Sequence, residues 1–176
     1  RMSGTHQADN AALAIAMLRH QSAITIPESA LAAAMEWTRW PARMQKLADG
    51  PLTALLPKGA EIWLDGGHNV DAGHAIAAHF ASETRRIHLI TGMLANKDPS
   101  AIIAPLRQKI ASITVLPVPG HDHHSVEAFG PTAQPAATFA EAFHCLTIDP
   151  ARDIILIAGT LYLAGEVLAL NGQTPE

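Results

Sequence analysis

Asp153-Ile154-Ile155-Leu156-Ile157-Ala158-Gly159 is a short apolar run rich in β-branched residues, and Thr160 and then Leu161 to Leu170 follow it at once. An apolar run of this length, bounded by glycine, reads as a strand buried on both faces, and the Leu/Ala-rich stretch behind it reads as a helix. The same unit recurs upstream. Ala60-Glu61-Ile62-Trp63-Leu64-Asp65, Arg86-Ile87-His88-Leu89-Ile90-Thr91-Gly92 and Ser112-Ile113-Thr114-Val115-Leu116 read as strands, with helices over about 70–83, 99–108 and 136–146 between them. Strict alternation of strand and helix predicts a mainly parallel α/β sheet with helices on both faces.

Ahead of this lies a different pattern. Leu13 with Met17 and Ile15 with Leu18 fall at helical spacings, so a helix is expected over about 7–20. Pro27 and Glu28 open a second through Leu31, Met35 and Trp37, since proline is tolerated in a first helical turn where its missing N–H is not needed. The Trp40-Pro41 pair ends it. Residues 117–135, with three His, four Pro and two Gly, form the one long irregular stretch and the expected functional loop.

Composition excludes several classes. The 176 residues are 48% hydrophobic and 5% aromatic, enough for one aliphatic core. Twelve Lys and Arg against 16 Asp and Glu leave a formal charge of −4, and the scattered cations make no basic stripe for nucleic acid. No apolar run approaches the ~20 residues of a membrane span. The single Cys145, read as lying on the apolar face of a helix, cannot make an internal disulfide and suits a reducing cytoplasm. A cytoplasmic monomer is expected, and the start at Arg1 suggests a piece or a processed product.

Ligands of open parallel sheets bind where strands end and helices begin. Leu64-Asp65-Gly66-Gly67-His68-Asn69 sits at such a junction. Its glycines allow close approach, Asp65 can accept from sugar hydroxyls, and Asn69 can cap the next helix; a plain strand-end turn accounts for the same residues. Arg43, after Trp40-Pro41-Ala42, could engage a phosphate bidentately or lie exposed with a solvated tip. Gly120-His121-Asp122-His123-His124 invites a metal, yet adjacent imidazoles in a loop rarely close a tetrahedral shell, so no metal ligand is assigned. The remaining histidines, His88 among them, read as surface or hydrogen-bonded core positions. There is no G-x-x-x-x-G-K-[ST] loop, no G-x-G-x-x-G and no G-x-S-x-G elbow.

Five segments, in order, resemble motifs of the folylpolyglutamate/dihydrofolate synthases of the Mur ligase group. They are Gly4-Thr5-His6-Gln7-Ala8-Asp9-Asn10-Ala11-Ala12, Trp40-Pro41-Ala42-Arg43-Met44-Gln45, Leu64 to Asn69, Gly92-Met93-Leu94-Ala95-Asn96-Lys97-Asp98 and Gly159-Thr160-Leu161-Tyr162-Leu163-Ala164-Gly165-Glu166-Val167. The resemblance implies that residues 1–40 are the last helices of an ATPase domain and residues 41–176 a Rossmann-like C-terminal domain. The phosphate loop would then belong to another part of the parent. By resemblance Asn10 recognises adenine, Arg43 reaches the phosphates and acts in catalysis, and Asp65 and His68 hold the nucleoside, chiefly the ribose. Ala42 and Gly67 stand where the family often has glycine and alanine. The implied reaction uses ATP and Mg2+ to join L-glutamate to dihydropteroate or folate, with most metal ligands outside this sequence. Another Mur-type amino-acid ligase and a non-catalytic α/β binding module are the competing readings; the His6-Gln7 and Trp40-Pro41 pairs favour the folate branch.

Overall fold

The computed structural model describes residues 5–174. Gly4 of the first motif and Arg1 lie outside the described residues. The chain divides into two compact units, Arg1–Pro41 and Ala42–Glu176. The first consists of helices α1 (Thr5–His20) and α2 (Glu28–Trp37), and leaves Leu13, Met17, Ile24, Met35 and Trp37 exposed.

The second unit is a sheet with helices on both faces. Its elements are β1 (Gln45–Lys46), β2 (Ile62–Asp65), α3 (Val70–His79), β3 (Arg86–Thr91), α4 (Ser100–Leu106), β4 (Ile110–Val115), β5 (Gln134–Pro135), α5 (Phe139–His144), β6 (Asp153–Ala158) and α6 (Leu161–Leu170). Short 3-10 turns occupy Thr53–Leu55 and Val126–Phe129. The strand order is β1-β2-β6-β3-β4-β5; β1 is antiparallel to β2 and every other pair is parallel.

The four expected strands and the α/β alternation are present. The sheet is wider than expected by two edge strands, β1 and β5, the latter inside the stretch read as irregular. Expected helices shrink at their ends: α3 stops at His79, where the Phe80 amide closes onto Ile76 and Ala78, and α5 begins only at Phe139, with Thr138 as its cap.

Alternation along the strands builds two cores. Ile62, Leu64, Ile90, Ile155 and Ile157 meet α5 and α6 through Phe139, Phe143, Leu163 and Val167. Ile87, Leu89, Ile113, Val115, Ile154 and Leu156 meet α3 and α4 through Ile76, Phe80, Ile102 and Leu106. Each fully buried Ile or Leu contributes about 1.5–3 kcal/mol on transfer from water. Gly73 lets α3 touch α4: a Cβ there would stand 1.9 Å from the Ala101 carbonyl oxygen. No described helix is long and apolar enough to cross a membrane. Cys145 departs from its reading: it follows the last residue of α5 and is exposed, because the helix ends at His144 before a further turn could bury the thiol.

Candidate functional site

The helices that follow the neighbouring strands β2 and β6 leave to opposite faces, α3 to one core and α6 to the other. Helix departure in opposite directions opens a crevice at the carboxyl ends of the strands. Asp65 closes β2 there, 6% exposed. Its Oδ1 accepts the Gly67 amide at 2.7 Å and its Oδ2 the Met44 amide at 2.8 Å. One carboxylate therefore ties the strand-end turn to the segment that carries Arg43. Ala42 adds two further links: its carbonyl accepts from the Gly66 amide at 2.9 Å, and its own amide donates to Gln45 Oε1 at 2.9 Å.

The tied segment is strained. Ala42 and Met44 adopt φ of 55° and 41°, the left-handed region, at a cost of about 1–2 kcal/mol per non-glycine residue. The family's frequent glycine at position 42 suits that conformation; the Ala42 methyl is tolerated here by burial, at 2% exposure. Asp65 on the Met44 flank, and Gly66 and Gln45 on the Ala42 flank, hold the strained turn that fixes the half-buried Arg43. A Cβ on Gly66 would lie 2.2 Å from Leu161 Cδ2 and 3.4 Å from the Arg43 guanidinium, so Arg43, the Gly66 backbone and the first residue of α6 converge on one spot. At Gly67 a Cβ would press on the Ala72 methyl at 2.6 Å, so the alanine frequent in the family needs a slightly wider turn than this chain has.

His68 Nδ1 lies 3.1 Å from the Gly66 carbonyl oxygen. A carbonyl only accepts, so Nδ1 carries the proton and Nε2 keeps its lone pair for an incoming hydroxyl. Asn69 caps α3, its side chain accepting from the Ala72 amide at 2.9 Å. His79, at the far end of α3 and packed on Trp63 and Phe80, is pushed down by burial, while the Asp65 carboxylate opposes that shift.

Beside this turn, Thr160 caps α6 by accepting the Tyr162 amide at 3.3 Å. Further along the same edge, residues 117–124 are bound to the loop after β3. The Ala95 amide donates to Asp122, the His124 amide to Met93, and Leu94 bridges His123. His124 Nε2 donates to the Lys97 carbonyl at 2.6 Å, and His121 stacks on Tyr162 with ring centroids 3.8 Å apart. Among the described residues no group of three His, Cys, Asp or Glu could hold a metal ion.

The structure thus brings Arg43, Asp65 and His68 together. Asn10 lies exposed on α1 in the other unit. Sequence reasoning did not assign a role to Leu161 or Tyr162, although their motif was recognised, nor foresee the buried staple that Asp65 makes.

No family model matches the chain. Folylpolyglutamate synthase of Lacticaseibacillus casei is 31% identical over 134 residues, covering 74% of this chain and 29% of that protein. The Mycobacterium tuberculosis folylpolyglutamate synthase, solved with ADP and AMPPCP, superposes with a TM-score of 0.78 at 25% identity over 99% of this chain and 42% of its own. The homologues and structural neighbours of this chain are folylpolyglutamate synthases, some of them bifunctional, of the Mur ligase fold. A bifunctional folylpolyglutamate synthase/dihydrofolate synthase with Mn, AMPPNP and L-glutamate bound shares the fold at a TM-score of 0.71 and 21% identity. The chain spans well under half the length of these relatives, 29% of the first and 42% of the second.

Proposed function

We propose that this chain is the nucleotide-closing part of an ATP-dependent ligase that adds L-glutamate to dihydropteroate, to folylpolyglutamate, or to both. The observation that carries the reading is Arg43, locked in a strained turn by Asp65 and aimed over Gly66 at the mouth of the sheet. A guanidinium held there in advance costs no reorganisation when charge develops on a transferring phosphoryl group. Asp65 and His68 take the ribose: His68 offers Nε2, and the Asp65 carboxylate closes β2 at the crevice beside it. Asn10 takes the adenine, an amide being able to donate and accept at once.

The acceptor carboxylate is phosphorylated by ATP, and the glutamate amine then displaces phosphate from the acyl phosphate. Mg2+ would neutralise the phosphates; the described residues offer no metal shell, so no metal ligand is assigned to this chain. Residues 1–40 are the closing helices of an ATPase domain, a reading supported by the apolar side chains that α1 and α2 leave exposed. A cytoplasmic location accords with the lone, unpaired Cys145.

The test is glutamate-dependent ADP release by the full-length protein carrying this chain, with Mg-ATP and either dihydropteroate or reduced folate. Turnover with either acceptor is expected. Silence with both, from folded protein that binds ATP, transfers the reading to another Mur-type ligase.

A further inference from the structure

The irregular stretch after β4 carries chemistry that the nucleotide reading leaves unused. His121 is exposed, yet its position is fixed from three sides. Its ring stacks on Tyr162 at 3.8 Å. Its Nδ1 lies 2.9 Å from the Pro119 carbonyl oxygen, which can only accept, so the proton sits on Nδ1 and the lone pair on Nε2. The next residue is tied to the loop after β3, the Asp122 carbonyl accepting from Ala95 at 3.0 Å. An exposed imidazole held by a stack, a tautomer-setting bond and a pinned backbone is oriented rather than free.

The stack also sets its location. Tyr162 is the second residue of α6, and the first, Leu161, packs over Gly66 beside Arg43. β4, which feeds the histidine loop, lies three strands from β2 in the sheet order, or about 14 Å at the usual strand spacing of ~4.8 Å. On the ligase reading, that span is the room left for nucleotide phosphates at Arg43 and an amino acid beside them. His68 also presents Nε2, but it follows β2, whereas His121 follows β4, three strands away, and stacks on α6.

We propose that His121 is the general base for the incoming amino acid, a reading that rests on the ligase assignment above. Glutamate arrives as an ammonium, which has no lone pair to attack with. His121 Nε2 takes one ammonium proton and becomes imidazolium. The freed amine pair forms the C–N bond with the acyl carbon as the C–O bond to phosphate breaks, and the electron pair leaves with phosphate. The second amine proton and the imidazolium proton pass to solvent or phosphate, so charge and atoms balance. Tyr162 is the positioning residue: it holds the ring without touching the amine.

Hydroxylamine separates this step from the phosphoryl step, because it is a neutral nucleophile at pH 7 and traps the acyl phosphate without a base. In the full-length enzyme His121→Gln is expected to lower glutamate ligation about 100-fold or more, as loss of a general base does, while hydroxamate formation and the KM for ATP stay as in the unmodified enzyme. Tyr162→Leu should give a smaller loss of the same pattern, and His123→Gln, with Nδ1 bonded only to the His121 carbonyl, should change neither. Undiminished glutamate ligation in His121→Gln, or equal loss of hydroxamate and ligation, overturns the assignment and leaves the ligase reading standing. Absence of both products from the unmodified enzyme sinks the ligase reading, and this inference with it.

Discussion

The two ends of the sheet are built on opposite electrostatic plans. At the end where strands begin, charges are matched with one another. Arg86 places Nε 2.9 Å and a terminal nitrogen 2.8 Å from Asp153 Oδ1, and the fully buried Asp153 also accepts the Asp149 amide at 2.9 Å. His88 completes the cluster, with Nδ1 2.8 Å from Ser112 Oγ and Nε2 3.4 Å from Asp153. Burial works to raise the Asp153 carboxyl, but the Asp149 amide, Arg86 and His88 outweigh it and hold it below its ordinary range. Arg85 bridges Glu83 and Glu61, and Lys46 pairs with Glu61.

At the end where strands finish, side chains are instead fastened to backbone. Asp65 holds amides, His68, His121 and His124 hold carbonyls, and Asn69 and Thr160 cap helices. Fastening to backbone fixes direction, and at His68 and His121 it leaves Nε2 for a ligand; pairing with an opposite charge fastens side chains to one another instead. On the proposed reading the first end serves stability and the second binding, and substitutions should divide accordingly.

The largest expected effect is at the binding end. Arg43→Ala in the full-length enzyme should lower kcat by about 10²–10³-fold, the cost of removing one preorganised charge-stabilising donor, with little change in adenosine affinity. Equal losses in kcat and adenosine affinity would contradict a phosphate role. At the other end, Asp153→Ala leaves the Asp149 amide and His88 without their buried acceptor, while the largely exposed Arg86 returns to water, and should cost roughly 1–3 kcal/mol in urea unfolding of this chain. A stability loss under 1 kcal/mol would mean that the matched end is no staple.

Acid should attack the matched end next. The Arg85 side-chain bond, aided by the Arg85 amide, holds the Glu83 carboxyl at about 2, below its ordinary 4.5. A depressed carboxyl contributes stability fully above its unfolded pKa and loses it as pH falls through the folded one, so the contribution fades between about pH 4.5 and 2. Glu83→Gln should flatten the acid limb of stability in that window and leave the neutral value the lower of the two proteins. The smallest effect is Ala42→Gly: relief of the left-handed φ outweighs one buried methyl by under about 1 kcal/mol, raising Tm slightly without altering kcat.

Much of this was legible in the sequence because the four inner strands are apolar runs each followed by a helical pattern. The edge strands were not: Gln45-Lys46 and Gln134-Pro135 carry no β signal, and their pairing is imposed by Leu64, Trp63, Thr114 and Val115 across the ladder. Asp65 was legible as an acceptor at a strand end, but its hold on Met44, distant in sequence, depends on the antiparallel return of β1. His121 stood out only as part of a histidine-rich loop, since its meaning comes from Tyr162, brought beside it by the order of β6, β3 and β4. Cys145 was misplaced because α5 ends earlier than the apolar pattern suggests.

The contrast between the two ends is tested most directly by hydrogen–deuterium exchange on the full-length enzyme with and without AMPPNP and Mg2+. The account predicts slowed exchange in the segments around Arg43, Gly66 to His68 and Thr160 to Tyr162, and none around Arg86, His88 or Asp149 to Asp153. Protection at the matched end, or no protection at the turn that carries Arg43, would contradict it.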